Sequence, residues 1–277
     1  MSIQSVSKPI RRADVAGEGF VQSSAFEWLS RAGFVARAVI YGLIGVLALK
    51  LALGHGGKLT DQQGALATVA HQPFGKYLLT LLAIGLGAYA LWRFVRAAIG
   101  HGPEGSDSGV DRVAAFASGV AYLVLCVLAV GILVGTSAGS SNPQKAAAGV
   151  LGWPAGTWLV GAAGIVLIGV ALYQGYRGLT KDFLSDSKTE EMSPAMETWI
   201  GWIGRVGLLS RMVVFGLVGV FLVKAAVDYN PDKAVGLDGA LAKLANHPYG
   251  SVLLGIVAAG LVAFAVYSLS DARYRRI

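Results

Sequence analysis

Two pairs of cations stand in otherwise apolar sequence: Arg37 with Lys50, and Arg211 with Lys224, each pair thirteen residues apart. Thirteen residues of helix rise about 19.5 Å, so the members of each pair lie towards opposite ends of a membrane-crossing helix. Two chemistries are open to them. Long cationic side chains can lay their stems along lipid and carry the charge to the headgroups. Alternatively they line the space between helices and hold an anion or an anionic lipid headgroup. Tyr41, one turn from Arg37, adds a hydroxyl to such a site, whereas its counterpart Phe215 cannot. In the middle of the chain the matching positions are Ser118 and Gly131. Any site made from this set is therefore asymmetric, and a threefold-symmetric conducting ring is not expected.

Other chemistry finds less support. The four His are His55, His71, His101 and His247; an outer metal site from His55, His71 and His247 lacks any metal-ligand spacing. No glycine-rich phosphate loop follows a strand, and no nucleophile with a neighbouring base is recognisable. The single Cys, Cys126, lies in an apolar run and reads as a small buried hydrophobe. The expectation is thus no catalytic residue, no cofactor and no metal. Proton-coupled transport ordinarily uses intramembrane carboxylates, and the apolar runs contain neither Asp nor Glu.

The elements that position these residues are read from composition. Of 277 residues, 55% are hydrophobic and 14% charged, against about 25% charged in soluble domains. Six apolar runs fall at 34–53, 77–99, 113–135, 157–176, 206–227 and 251–270. Each is long enough to cross a hydrocarbon core of about 30 Å as a helix. Gly is abundant, 38 of 277, and recurs four residues after Ala at Ala38–Gly42, Ala83–Gly87, Ala115–Gly119 and Ala171–Gly175. That spacing lets helices approach closely in lipid.

The net charge of +7 is distributed as for a membrane protein rather than for a nucleic-acid binder. With the N-terminus in the cytoplasm, 16 of the 23 Lys and Arg fall inside, including every Arg, and 7 fall outside. This is the positive-inside pattern. Six spans return the C-terminus to the cytoplasm. No secretory signal is visible, since residues 1–30 are polar and mixed.

The chain repeats itself. Pro-x-Gly marks stand at Pro73/Gly75, Pro154/Gly156 and Pro248/Gly250, at offsets of 81 and 94 residues. Each follows a short amphipathic stretch (Ala65, Leu66, Val69, Ala70 in the first copy) and precedes a span. The preceding spans match as well: RAGFVARAVIYGLIGVLALK at 31–50 against RVGLLSRMVVFGLVGVFLVK at 205–224. The middle copy, RVAAFASGVAYLVLCVLAVG at 112–131, has lost the cations. The unit is a span, an amphipathic helix at the outer interface, a turn, and a second span. Pro suits the first helical position because its missing N–H has no partner there. A two-span unit keeps its orientation on repetition, so the copies are parallel, related by an axis along the membrane normal.

This pattern, with QGALATVAHQPFGKYLLTLLAIGLGAYALWRF after the first span, resembles the bacterial membrane proteins of the domain of unknown function 1206. The resemblance implies tandem copies of the unit and a bacterial cell membrane. It carries over no catalytic residue.

The expected fold is all-α and integral to the membrane: six transmembrane helices as three parallel two-helix repeats in a pseudo-threefold bundle. The divisions are a cytoplasmic tail with an interfacial helix at 1–29, repeats at 30–100, 112–181 and 204–275, and a linker at 182–203. Residues 181–194 read as solvated, and 20–31 and 192–203 as helices lying on the inner interface. The expected role is a non-enzymatic inner-membrane protein acting through helix packing and through lipid or protein contacts. The alternative is a small-solute channel or carrier along the pseudo-threefold axis.

Overall fold

The computed structural model describes residues 24–56, 59–99, 109–136 and 143–276. The expected tail up to residue 23, and His101, lie outside them. Among the described residues nine α-helices follow one another: α1 (Ser24–Ala52), α2 (Gln62–Ala70), α3 (Gly75–Ile99), α4 (Gly109–Val134), α5 (Pro143–Leu151), α6 (Gly156–Thr180), α7 (Pro194–Val227), α8 (Leu237–Ala245) and α9 (Gly250–Tyr274). The six long ones are long and apolar enough to cross a membrane, so this is a multi-pass membrane protein. Among the described residues there is no strand; a lone bridge joins Ser187 to Arg275.

The spans come in the three copies α1/α3, α4/α6 and α7/α9, with the short helices α2, α5 and α8 between their members. The closest interfaces run between copies: α3 packs on α4, α6 on α7, and α9 on α1. Small residues make this close approach achievable in lipid, where apolar burial gives no driving force. A Cβ on Gly164 or on Gly219 would meet the other's carbonyl oxygen at 2.8 Å.

One arginine in each copy reinforces the cyclic order. Arg31 donates from Nη1 to the carbonyls of Ala272 and Arg273. Its equivalent Arg112 donates to those of Ala97 and Ala98. The third equivalent, Arg205, donates to that of Leu179. Each first span thus caps the C-terminal end of the preceding copy's second span, satisfying carbonyls with no helical partner and complementing the helix dipole. All three contacts lie at one end of the bundle, called here the arginine end; the opposite is the turn end.

Three expectations are corrected, two of them at the turn end. The Pro residues do not occupy the first helical position: α3, α6 and α9 begin at Gly75, Gly156 and Gly250, two residues later. The Pro instead stands second in a tight turn closed by the Gly N–H on the carbonyl three residues back, at 2.8 Å (Gln72), 2.9 Å (Trp153) and 2.7 Å (His247). Phe74 and Tyr249, third in their turns, have φ of 61° and 63°, so the helix cannot start at Pro. The Gly is required by contact: a Cβ on Gly75 would lie 2.2 Å from the Ala70 carbonyl oxygen, and on Gly250 1.9 Å from that of Ala245. The short helices are also not simply laid on an interface. Ala65 and Leu66 of α2 are fully buried against α1, α3 and α4, and Leu237, Ala240 and Leu241 of α8 are buried where it meets α7 and α9.

The third correction concerns the other end. The stretches expected as separate interfacial helices are continuous with spans: residues 24–31 belong to α1 and 194–203 to α7. Ser193 caps α7 by accepting from the Met196 N–H, and no Pro after Pro194 interrupts it. Gly204 lets Phe183 pack against it, with the ring 2.5 Å from where a Cβ would stand.

Candidate functional site

The arginine end encloses a cavity of about 330 Å³. Its lining repeats the internal symmetry of the chain. The equivalent positions Arg37, Ser118 and Arg211 all reach it, from α1, α4 and α7. Counting from the Pro-x-Gly turns, so do Arg96, Arg177 and Asp271, from α3, α6 and α9, and the pair Arg93 and Gln174. The cavity therefore lies where the three copies converge.

The charge is unbalanced. Arg37, Arg93, Arg96, Arg177, Arg211 and Arg275 face three carboxylates, Asp182, Asp186 and Asp271. Arg37 is saturated. It is 4% exposed and donates to Ser268 Oγ at 3.0 Å, Tyr89 Oη at 2.8 Å and Asp271 Oδ2 at 2.5 Å. Its guanidinium also lies 4.9 Å from the Phe34 ring centre and 5.1 Å from that of Phe264, stacking that adds a cation–π attraction. The expectation that no carboxylate would meet this charge is overturned. Asp271 stands one residue past the sixth apolar run, but α9 continues through it to Tyr274 and turns it inwards.

Arg211 is built differently. Its guanidinium lies over Phe264 at 4.3 Å, Phe215 at 4.7 Å and Tyr41 at 4.9 Å. Its Nε is buried with no hydrogen-bond partner. On the same lining, Gln174 is 8% exposed, and its Oε1 is buried without a partner. Arg177 Nε and Arg275 Nε, on the same lining, are also buried without a hydrogen-bond partner. Buried polar groups are ordinarily satisfied, so a cavity lined by several unpartnered ones is a place where a polar ligand gains bonds.

The segment after α6 closes the cavity. Phe183 is buried against Tyr267, with ring centres 5.2 Å apart. Asp186 Oδ2 accepts from Arg275 at 2.6 Å and from Arg177 at 2.7 Å, and Arg96 lies 3.6 Å from Oδ1. Main-chain bonds from Lys188 N to Tyr274 O and from Arg276 N to Asp186 O tie the segment to the end of α9. Residues 183–188 thus form a packed strap rather than a solvated linker, whereas Glu190, Glu191, Ser193 and Pro194 are exposed. Burial alone would raise the Asp186 carboxyl, but Arg275, Arg177 and Arg96 outweigh it and hold it well below the usual carboxylate range. Burial would lower Arg275; Asp186 and Asp271 more than offset that and raise it.

The remaining expected residues divide. Tyr41 is buried, edge-on to Phe264 at 5.0 Å and beneath Arg211, and contributes its ring to the site. Lys50 and Lys224 are exposed in the last turns of α1 and α7, at the turn end and away from the cavity. His55, His71 and His247 are exposed, and among the described residues no three His, Cys, Asp or Glu side chains gather as a metal would need. Arg93, Arg96, Arg177, Arg275, Asp186 and Gln174 were not singled out from sequence. The available signal was the recurrence of Arg at 23 residues past the first two Pro marks, with Asp at that place in the third.

No solved structure matches this chain. An uncharacterized protein of Bacillus subtilis (strain 168), YxxB, is 34% identical over 251 residues, covering 89% of this chain and 90% of that protein. The profile of one family matches three times, at residues 32–100, 113–181 and 206–275, once for each two-span copy. With three quarters of the 277 residues accounted for by these three matches, the chain belongs to the family described as Domain of Unknown Function (DUF1206).

Proposed function

We propose that this protein is a multi-pass protein of the bacterial inner membrane, with both termini cytoplasmic, that holds an anion of the phosphate class in the arginine-lined cavity and does so without catalysis. The observation that carries the reading is the contrast inside the cavity. Each nitrogen of Arg37 has a partner, whereas Arg211, the same position in the third copy, has a buried Nε without one and lines the same cavity as Gln174, whose carbonyl also lacks a partner. Six arginines against three aspartates leave the lining positive. An anion there meets a charged, partly dehydrated guanidinium, where charge-assisted bonds are roughly twice as strong as neutral ones.

The alternative, a solute path along the axis, is disfavoured by the buried apolar cluster that contains Ile44, Leu86, Ala129 and Leu261, which stand nearer the turn end than the cavity-lining residues of their helices. That packing favours binding over conduction. Native mass spectrometry of the wild type and Arg211→Gln tests the reading: bound anion is expected in the former and depleted in the latter. Equal occupancy in both, with both folded, overturns it. Reporter fusions active only outside the cytoplasm are expected to respond at Lys145 and Lys233 and to stay silent at Ser187; the reverse pattern overturns the orientation.

A further inference from the structure

Resting on the anion-binding reading, we propose that the ligand is an anionic phospholipid that enters sideways between α4 and α6, seats its phosphate beside Arg211 and Gln174, and leaves its acyl chains in the bilayer. The first observation is a break in the ring of helices. In the first and third copies the two spans pack on each other, α1 on α3 and α7 on α9, whereas α4 and α6 of the middle copy do not. Both nonetheless line the cavity, through Ala114, Ala115 and Ser118 on one side and Val170, Tyr173 and Gln174 on the other. The cavity wall is therefore open between two helices, and the α4 edge of the opening carries small side chains.

The second observation is what these helices show to their surroundings. Only 17% of the apolar window of α4 and 22% of that of α6 is buried, the two lowest values, against 28% for α7, 50% for α3 and α9 and 56% for α1. Their exposed residues are apolar, Phe116 and Val120 on α4 and Val166 and Leu172 on α6 among them, a surface suited to acyl chains. The opening thus joins a positive cavity to a lipid-facing surface. A lipid brings its phosphate to this depth with its chains already in hydrocarbon; only the headgroup leaves water. The third observation is a pair of unpartnered polar groups on the cavity lining that the opening reaches, Arg211 Nε on α7 and Gln174 Oε1 on α6, the latter on a side chain more than nine-tenths buried. Arg211 supplies a charged fork for phosphate oxygens, and the Gln174 amide offers a donor to an oxygen or an acceptor to a headgroup hydroxyl.

The experiment uses the purified full-length protein in detergent and three probes: short-chain phosphatidylglycerol, the matching phosphatidylcholine, and inorganic phosphate. Ala114→Trp and Val170→Trp obstruct the opening from either side, and Arg211→Gln removes the charge. Phosphatidylglycerol is expected to bind the wild type at least about tenfold more tightly than phosphatidylcholine, and to weaken at least about tenfold in all three variants. Inorganic phosphate, where it binds, is expected to weaken in Arg211→Gln and to be unchanged in the two Trp variants. Folded Trp variants that bind phosphatidylglycerol as the wild type does would overturn sideways entry and leave the anion site standing. Phosphate binding without preference for phosphatidylglycerol overturns the lipid assignment alone. Arg211→Gln binding every probe as the wild type does overturns both readings, as does a wild type that binds none. Val170 is half-buried at the lipid edge, so Val170→Trp keeps the test in force if Ala114→Trp fails to fold.

Discussion

The third copy and the middle copy carry the same unit and use it in opposite ways. In the third, α7 and α9 lock together: a Cβ on Gly207 would stand 2.6 Å from the Phe264 Cα, and Asp271 replaces an arginine of the other copies to neutralise Arg37 across the α1/α9 interface. In the middle copy α4 and α6 are apart, the first-span cation is Ser118, and Gly169 of α6 has nothing within 4 Å of its Cβ direction. Repetition supplies a closed scaffold, and relaxing it in one copy opens a doorway. The residues that close the scaffold are the costly ones to change; the residues beside the doorway are not.

The largest effect is expected from breaking the buried pair. Asp271→Ala leaves Arg37 charged, 4% exposed and unpaired, and is expected to destabilise by about 3–5 kcal/mol. Denaturant or thermal unfolding in detergent measures it, and a loss near zero would show that the pair does not hold α1 to α9. Gly207→Ala comes next, expected to cost about 1–3 kcal/mol because backbone must move. Gly169→Ala, its contrast in the middle copy, is expected to be neutral or to stabilise by up to about 1 kcal/mol through helix propensity. Equal costs at Gly207 and Gly169 would erase the distinction between the copies.

The strap is expected to show its own pH dependence. The Asp186 carboxyl is depressed in the folded protein from an ordinary value of 3.8, so its contribution is fully present above that value and is lost as pH falls through the lowered one. Asp186→Asn is expected to cost about 1.5–3 kcal/mol at neutral pH and to flatten stability below pH ~4. The smallest effects belong to the carbonyl caps. Arg31→Gln, Arg112→Gln and Arg205→Gln are each expected to cost about 0.5–1 kcal/mol, and three similar values would confirm that this feature, unlike the cavity, is kept equal in all copies.

Apolar length and the Pro-x-Gly recurrence made six spans and three copies legible, because both follow from local constraints: hydrocarbon thickness and the turn backbone. The cavity was less legible. Asp271 fell one residue outside an apolar run, and the helix that carries it inwards is not marked by hydropathy. Arg96, Arg177 and Arg275 registered only as positive charges of the inner side, since orientation and ligand binding draw on the same residue type. Asp186 and Phe183 lie in a polar stretch whose burial depends on partners some 90 residues away, Arg275 and Tyr267. The Pro mark was read as a helix start because nothing in its sequence announces the left-handed Phe74 and Tyr249.

The arginine caps have a consequence for chain connectivity. Since Arg31 holds the end of α9 just as Arg112 holds the end of α3 and Arg205 that of α6, the ring of helices contains no privileged first copy. A circular permutant, cut between α3 and α4 and joined from the end of α9 to the start of α1, retains every helix interface. The order of synthesis is thereby separable from the order of packing. The three copies could also be supplied as separate two-span chains, which would have to find one another in the membrane in a single cyclic arrangement.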